Sequence, residues 1–148
     1  MKPTPKGWPR LSTALYYKDP ARMIDWLCQA YGFELRLKVE GDGGQIEHSE
    51  LCFGEAVIML SGERPVDDRF VIPGLSPLSA GANTQNLMLY VDDVEAHFVR
   101  ARAAGAMIIN EPQTRDYGDD YWSDRSYGTL DPEQHHWWFA QRLKTGAG

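Results

Sequence analysis

Apolar residues recur along this chain with two periods, and the order of those periods runs through twice. From Leu11 to Tyr17 the pattern alternates, with Leu11, Thr13 and Leu15 on one face and Ser12, Ala14 and Tyr16 on the other, which predicts a strand. Asp19-Pro20 then opens a helix, Asp19 as N-cap and Pro20 at the first helical position. Ile24, Leu27 and Tyr31 form its buried stripe, flanked by Met23 and Ala30, and Gly32 stops it. Three strands are expected next, at Phe33–Val39, Ile46–Phe53 and Ala56–Ser61. The loop Gly41–Gly44 and a Gly54-Glu55 hairpin turn separate them. Residues 62–84 carry Pro65, Pro73 and Pro77 and no period, so they read as a crossing between two modules.

The pattern then restarts. Gln85–Val91 predicts a strand, with Leu87, Leu89 and Val91 on one face and Asn86, Met88 and Tyr90 on the other. Asp92 or Asp93 caps a helix with the stripe Val94, Phe98, Ala101 and Gly105. Met107–Glu111 is a strand that Pro112 ends, and Thr114–Ser123 is a loop. Ser126–Leu130 and His136–Ala140 are the last two strands, joined by a turn that Asp131-Pro132 starts. Trp137 and Phe139 share one face of the final strand, and His136, Trp138 and Ala140 the other. Ser12, Leu15, Tyr16 and Asp19 recur as Asn86, Leu89, Tyr90 and Asp93 at one offset of 74 residues (86 less 12), and Ile24 recurs as Phe98. Each half is a βαβββ unit whose sheet carries a helix on one side and needs cover on the other. The expected fold is α+β: two tandem modules forming curved mixed sheets around a central cavity, helices outside. The expected boundaries are an arm at 1–9, modules at 10–61 and 85–142, the crossing at 62–84 and a tail at 143–148.

Composition narrows the partner. The chain has 148 residues, is 43% hydrophobic and carries a net charge of −6, which argues against nucleic acid and against an anionic membrane surface. A neutral or cationic small ligand fits that charge. The two cysteines, Cys28 and Cys52, sit in apolar patterns and read as buried thiols of a reducing compartment. With no membrane-length apolar run and no signal-peptide core, a soluble cytoplasmic protein is expected.

The segments YYKDPARMIDWLCQAYGFE, HSELCFGEAVIMLSG, LYVDDVEAHFVRARAAGA and DRSYGTLDPEQHHWWFAQ, in that order and spacing, resemble the vicinal oxygen chelate superfamily. That superfamily includes glyoxalase I, ring-cleaving dioxygenases and bleomycin-resistance proteins. One departure is Gln134, where the turn after Asp-Pro-acid usually has glycine. The resemblance implies metal ligands on the first and last strand of each module, which here fall on Ser12, Met59, Asn86 and Trp138. A hydroxyl, a thioether, an amide and an indole are not the three strong donors a catalytic metal needs. No metal and no cofactor are therefore expected; a different site using His48, Glu50 and a residue of the other module stays open.

His135 and His136 are adjacent, so they point to opposite faces of a strand. His97 sits beside the buried stripe of the second helix. His48 shares a face with Ile46 and Glu50; it is either a surface residue or a polar group inside the cavity, and it is the one candidate acid or base. The alternation gives candidate wall residues on both modules, and their side chains either line a pocket or simply fill the space. In the loop Arg115–Asp124, acids alternate with Tyr117, Tyr121 and Trp122, either as a solvated loop or as a flap over the cavity. Arg125 pairs either with one of those acids or with a ligand. The candidate ligand-binding residues are Ser12, Tyr16, His48, Met59, Asn86, Met88, Tyr90, Trp122, Arg125 and Trp138.

The resemblance, with its neutral ligand positions, implies a metal-free small-molecule-binding protein of the bleomycin-resistance type, working as a homodimer on an aromatic or cationic compound. The alternatives are a lyase, isomerase or dioxygenase of the same superfamily with a non-standard metal site, and a ligand-free module that binds a protein partner.

Overall fold

The structure, a computed structural model, describes residues 1–146. Of the tail expected at 143–148, residues 147 and 148 lie outside the described residues. The chain divides into two compact units, 1–80 and 81–148. Among the described residues each unit holds one four-stranded mixed sheet.

The first unit runs β1 (Thr13–Tyr17), α1 (Pro20–Tyr31), β2 (Glu34–Glu40), β3 (Ile46–Phe53) and β4 (Ala56–Gly62). Its strand order is β1-β4-β3-β2, with β1 parallel to β4 and the other pairs antiparallel. α1 starts as its sequence dictates: Asp19 accepts the Arg22 backbone N–H at 3.1 Å, and such a cap is worth about 1 kcal/mol. It ends at Gly32, whose φ of 82° is the left-handed cap that glycine adopts without strain. The predicted stripe of Met23, Ile24, Leu27, Ala30 and Tyr31 is buried, together with Leu15, Tyr17, Leu51, Ile58 and Leu60 from the strands. The N-terminal arm is tied to the first sheet by Arg36. The Arg36 guanidinium donates to Gly7 O at 2.5 Å, lies 4.9 Å from the Trp8 ring centroid and pairs with Glu50 at 3.2 Å. The stretch after β4 is more ordered than its proline content predicts. Arg64 and Gly74 exchange backbone hydrogen bonds at 3.0 Å, Asp67–Phe70 makes a turn, and Pro77–Ala80 forms one turn of helix, α2.

The second unit repeats the plan: β5 (Asn86–Tyr90), α3 (Val94–Ala103), β6 (Met107–Asp116), β7 (Trp122–Leu130) and β8 (His136–Thr145), in the order β5-β8-β7-β6 with β5 parallel to β8. Asp93 is the helix cap, accepting from Ala96 N at 3.0 Å. Val94, Phe98 and Ala101 are buried as predicted, but Gly105 is exposed beyond the helix end and takes no part in the stripe. Their core partners are Tyr127, Trp137 and Phe139; the Tyr127 and Phe139 rings stack at 5.5 Å and Phe98 meets Tyr127 edge-on at 5.3 Å. His97 joins this core, its Nδ1 2.7 Å from the Tyr127 hydroxyl. Burial pushes that phenol well above its usual pKa.

Three expectations are corrected here. Pro112 does not end a strand: β6 continues to Asp116, because Pro112 falls in a break of the β6–β7 register between Asn110 and Gln113, on an edge strand. A missing N–H costs little there. In consequence Thr114–Ser123 is not a free loop but the upper part of the β6–β7 hairpin, with only Tyr117–Tyr121 at its tip. β8 also runs past the expected end at Ala140 to Thr145.

The turn between β7 and β8 is built on Asp131. Its Oδ1 accepts the backbone N–H groups of Glu133 and His135 at 3.0 and 3.1 Å. Gln134, in the position where glycine is usual, has φ 71°, so the turn keeps its left-handed residue without the residue that suits it.

Candidate functional site

The second sheet presents a polar and aromatic face on the side away from the buried rings. The β5–β8 register sets Asn86 beside His136, Met88 beside Trp138 and Tyr90 beside Ala140. The β7–β8 register extends the row to Gly128 and Ser126. Gly128 makes room for the indole of this row, since a Cβ there would lie 3.2 Å from the Trp138 ring and 2.8 Å from Asn110 Oδ1. A hollow of about 180 Å³ results, lined by Met88, Arg115, Tyr117, Asp124, Ser126, Trp138 and Ala140.

One side of that hollow is a hydrogen-bonded triad. Asp124, only 8% exposed, accepts from Arg142 Nε at 2.5 Å and from the Tyr90 hydroxyl at 3.4 Å. Arg142 Nη2 also donates to the Tyr90 oxygen, and its guanidinium lies 5.2 Å from the Tyr90 ring and 5.5 Å from the Trp122 ring. The hydrogen bond to Asp124 raises the Arg142 pKa further. The acid of this face is therefore already paired, and its ring faces already meet the protein's own cation. Arg115 on β6 makes no ion pair among the described residues. His136 lies at the far end of the row, its ring 5.7 Å from Trp138, with Nε2 enclosed and without a hydrogen-bond partner. Burial lowers its pKa, so it is held neutral.

Met88, Tyr90 and Trp138 lie in one row, the face that the alternation selects, with Asn86 at its exposed end, while Trp122, expected on a loop, stands on β7 against Arg142. Arg125 does not. Asp124 and Ser126 face the hollow, so Arg125 between them points to the helix side, where it pairs with Glu95 of α3 and donates to Thr114 Oγ1 at 3.3 Å. Its partner is neither a hairpin-tip acid nor this hollow. Arg142, Ser126 and Ala140 do not stand out in the sequence as ligand contacts; the parity that selects Trp138 also selects Ala140 and, on the neighbouring strand, Ser126.

In the first unit Met59 stands between Ala14 and Glu50 in the ladder. Ser12 lies just before β1, its hydroxyl enclosed without a partner. Tyr16 packs under Gly74, where a Cβ would come within 2.5 Å of the ring, and its hydroxyl accepts from Arg64. His48 Nε2 is 3.1 Å from Glu50 Oε1.

The donors at Ser12, Met59, Asn86 and Trp138 do not fit a divalent metal, and Glu50 is already shared between Arg36 and His48. Among the described residues no three His, Cys, Asp or Glu side chains are grouped so as to hold an ion. No helix among them is long and apolar enough to cross a membrane.

Two successive βαβββ units with the same strand order define a duplicated α+β fold of the glyoxalase type. A sequence profile of the Glyoxalase/Bleomycin resistance protein/Dioxygenase superfamily matches residues 11–139, and the chain belongs to that superfamily. An uncharacterized protein of Mycobacterium bovis is 30% identical over 136 residues, covering 92% of this chain and 85% of its own length. Among solved structures, TioX from Micromonospora sp. ML1 is similar at TM-score 0.66 and 31% identity, over 90% of this chain and 95% of that one. A glyoxalase/bleomycin resistance protein/dioxygenase family enzyme from Burkholderia phytofirmans PsJN shares the fold at TM-score 0.61 and 20% identity, over 89% and 97% of the two chains.

Proposed function

We propose that this protein is a metal-free, small-molecule-binding member of the superfamily that takes a planar aromatic compound into the hollow of its second unit. One observation carries the reading: the hollow offers an indole, a thioether and a phenol ring beside a fixed Asp124–Arg142–Tyr90 triad, with Arg115 as the remaining polar anchor. Apolar lining with a few convergent polar groups is the make-up of a small-molecule site. A cationic ligand is less suited, since Asp124 is neutralised and Arg142 already lies against the rings. The working form is a homodimer in the cytoplasm, where Cys28 and Cys52, neither of them in a disulfide, stay reduced.

Titration with planar aromatics such as quinoline, followed by tryptophan fluorescence, tests it. Saturable quenching in the wild type that is lost in Trp138→Ala supports the reading. Equal quenching in that variant, or one tightly held divalent ion per purified chain, refutes it. Sedimentation at about 16.8 kDa rather than twice that would refute the dimer.

A second reading rests on the His48–Glu50 contact, in which a carboxylate orients an imidazole that is 40% exposed at its side chain. That pair is built as a general base. It requires a turnover that His48→Ala abolishes while the fold persists.

A further inference from the structure

The duplication makes the two units comparable, and each sets an arginine against the same tyrosine of the repeat. Tyr16 and Tyr90 occupy the same place in the repeat, opposite Ser61 and Ala140 respectively. Each tyrosine hydroxyl accepts from an arginine, Arg64 two residues beyond the end of β4 in one unit and Arg142 within β8 in the other. In the second unit Asp124 neutralises the arginine. Counting along the ladders from the pairs Ser49–Leu60 and Tyr127–Phe139, the counterpart of Asp124 in the first unit is Ile46. Arg64, one residue past the ladder counterpart of Arg142, which is Glu63, makes the same bond to its unit's tyrosine and has no such acid beside it. Among the described residues it forms no ion pair, and its Nε is enclosed without a partner.

The surroundings of Arg64 hold its guanidinium still without satisfying it. The group lies 3.5 Å from the Phe70 ring centroid and 4.8 Å from that of Tyr16. Ring contacts of this kind engage the faces of the guanidinium and leave its N–H donors, which lie in the plane, for hydrogen bonding. Arg69, 5.0 Å from the same Phe70 ring, is a second guanidinium without an ion pair among the described residues. Both open onto a groove of about 660 Å³ lined also by His48, Ser61 and Ile46. Of the two acids on its border, Glu63 accepts from Ser76 N at 2.8 Å, and the Glu47 side chain packs against the backbone of Gly41.

We propose that this groove binds the oxyanion of a small ligand, a carboxylate or a phosphate, with Arg64 as the recognising residue and Arg69 as its support. A planar guanidinium pre-organised by two rings matches either group with charge-assisted hydrogen bonds. The site belongs to the first unit alone and does not depend on the aromatic hollow of the second.

The test is an NMR titration of the full chain at low ionic strength with benzoate and, separately, with inorganic phosphate, against sodium chloride as control. At least one probe is expected to saturate, shifting resonances of Ser61, Arg64 and Phe70. Saturation by benzoate assigns a carboxylate ligand, and saturation by phosphate alone a phosphorylated one. Arg64→Met is expected to weaken binding by about tenfold or more, with Arg64→Lys in between. Arg102→Met, at a surface ion pair of the second unit, is expected to bind as the wild type does. Melting curves establish that each variant is folded, and Ile46→Asp, which supplies the missing acid, offers a second route to the same loss. Failure of both probes to saturate, or wild-type affinity in folded Arg64→Met, overturns the proposal.

Discussion

The indole N–H of Trp137 donates to Asp131 Oδ2 at 3.1 Å, tying the largest buried side chain of the second unit to the turn that precedes its strand. Asp131 is 2% exposed and serves three N–H donors at once. Asp131→Ala strands all three in a buried place. A loss of about 3 kcal/mol or more is expected, read from the urea midpoint, because each unsatisfied donor costs about 1–3 kcal/mol. Asp131→Asn, which keeps an acceptor, is expected to lose less.

Gln134 holds a left-handed backbone angle that costs a non-glycine residue about 1–2 kcal/mol. The bond that Asn83 Nδ2 makes to its carbonyl, at 2.6 Å, involves only the backbone of position 134. Gln134→Gly therefore relieves strain and removes no contact of the turn. It is expected to raise stability by about 1 kcal/mol in denaturant melts, with the fold unchanged.

His136 gives the protein a pH dependence with a definite sign. Its folded pKa lies below the usual value of 6.5, so the unfolded chain takes up the proton first on acidification. Its contribution is complete above pH 6.5 and is lost as pH falls through that value toward the lower folded pKa. Thermal melts from about pH 7.5 down to about pH 5.5 should show wild type losing more stability than His136→Phe. Parallel curves for the two proteins would exclude the residue as a source.

Gly128 is the position where a small change should reach the hollow. Gly128→Val places atoms where the Trp138 ring lies, so the indole must turn out of the row. Affinity for a planar aromatic is expected to fall by about tenfold, the equivalent of about 1.4 kcal/mol, with a changed tryptophan emission in the unliganded protein.

The repeat is legible in the sequence because each half announces itself through the same physics. Asp19-Pro20 and Asp93 are helix starts, Gly32 is a helix stop, and the strands beside them alternate by burial on one face only. The β6–β7 hairpin is hidden because Thr114, Arg115 and Asp116 are polar on both faces, so no alternation marks a strand that nothing covers. Arg142 escapes for the same reason, at the polar end of β8. Arg64 sits in a proline-bearing stretch where no period operates, and only its bond to Tyr16 in three dimensions shows the likeness to the Arg142–Tyr90 pair. The orientation of Arg125, by contrast, follows from strand parity alone: its neighbours Asp124 and Ser126 must face the opposite way.

Pro112 has one more consequence. β6 is the outer strand of its sheet, and a long unpaired border of N–H and C=O groups invites a foreign strand to zip on. A residue with no hydrogen to give, set where the register already slips, breaks that template in the middle of its ten residues. The longest bare margin of the second unit is thereby guarded against fibrillar polymerisation.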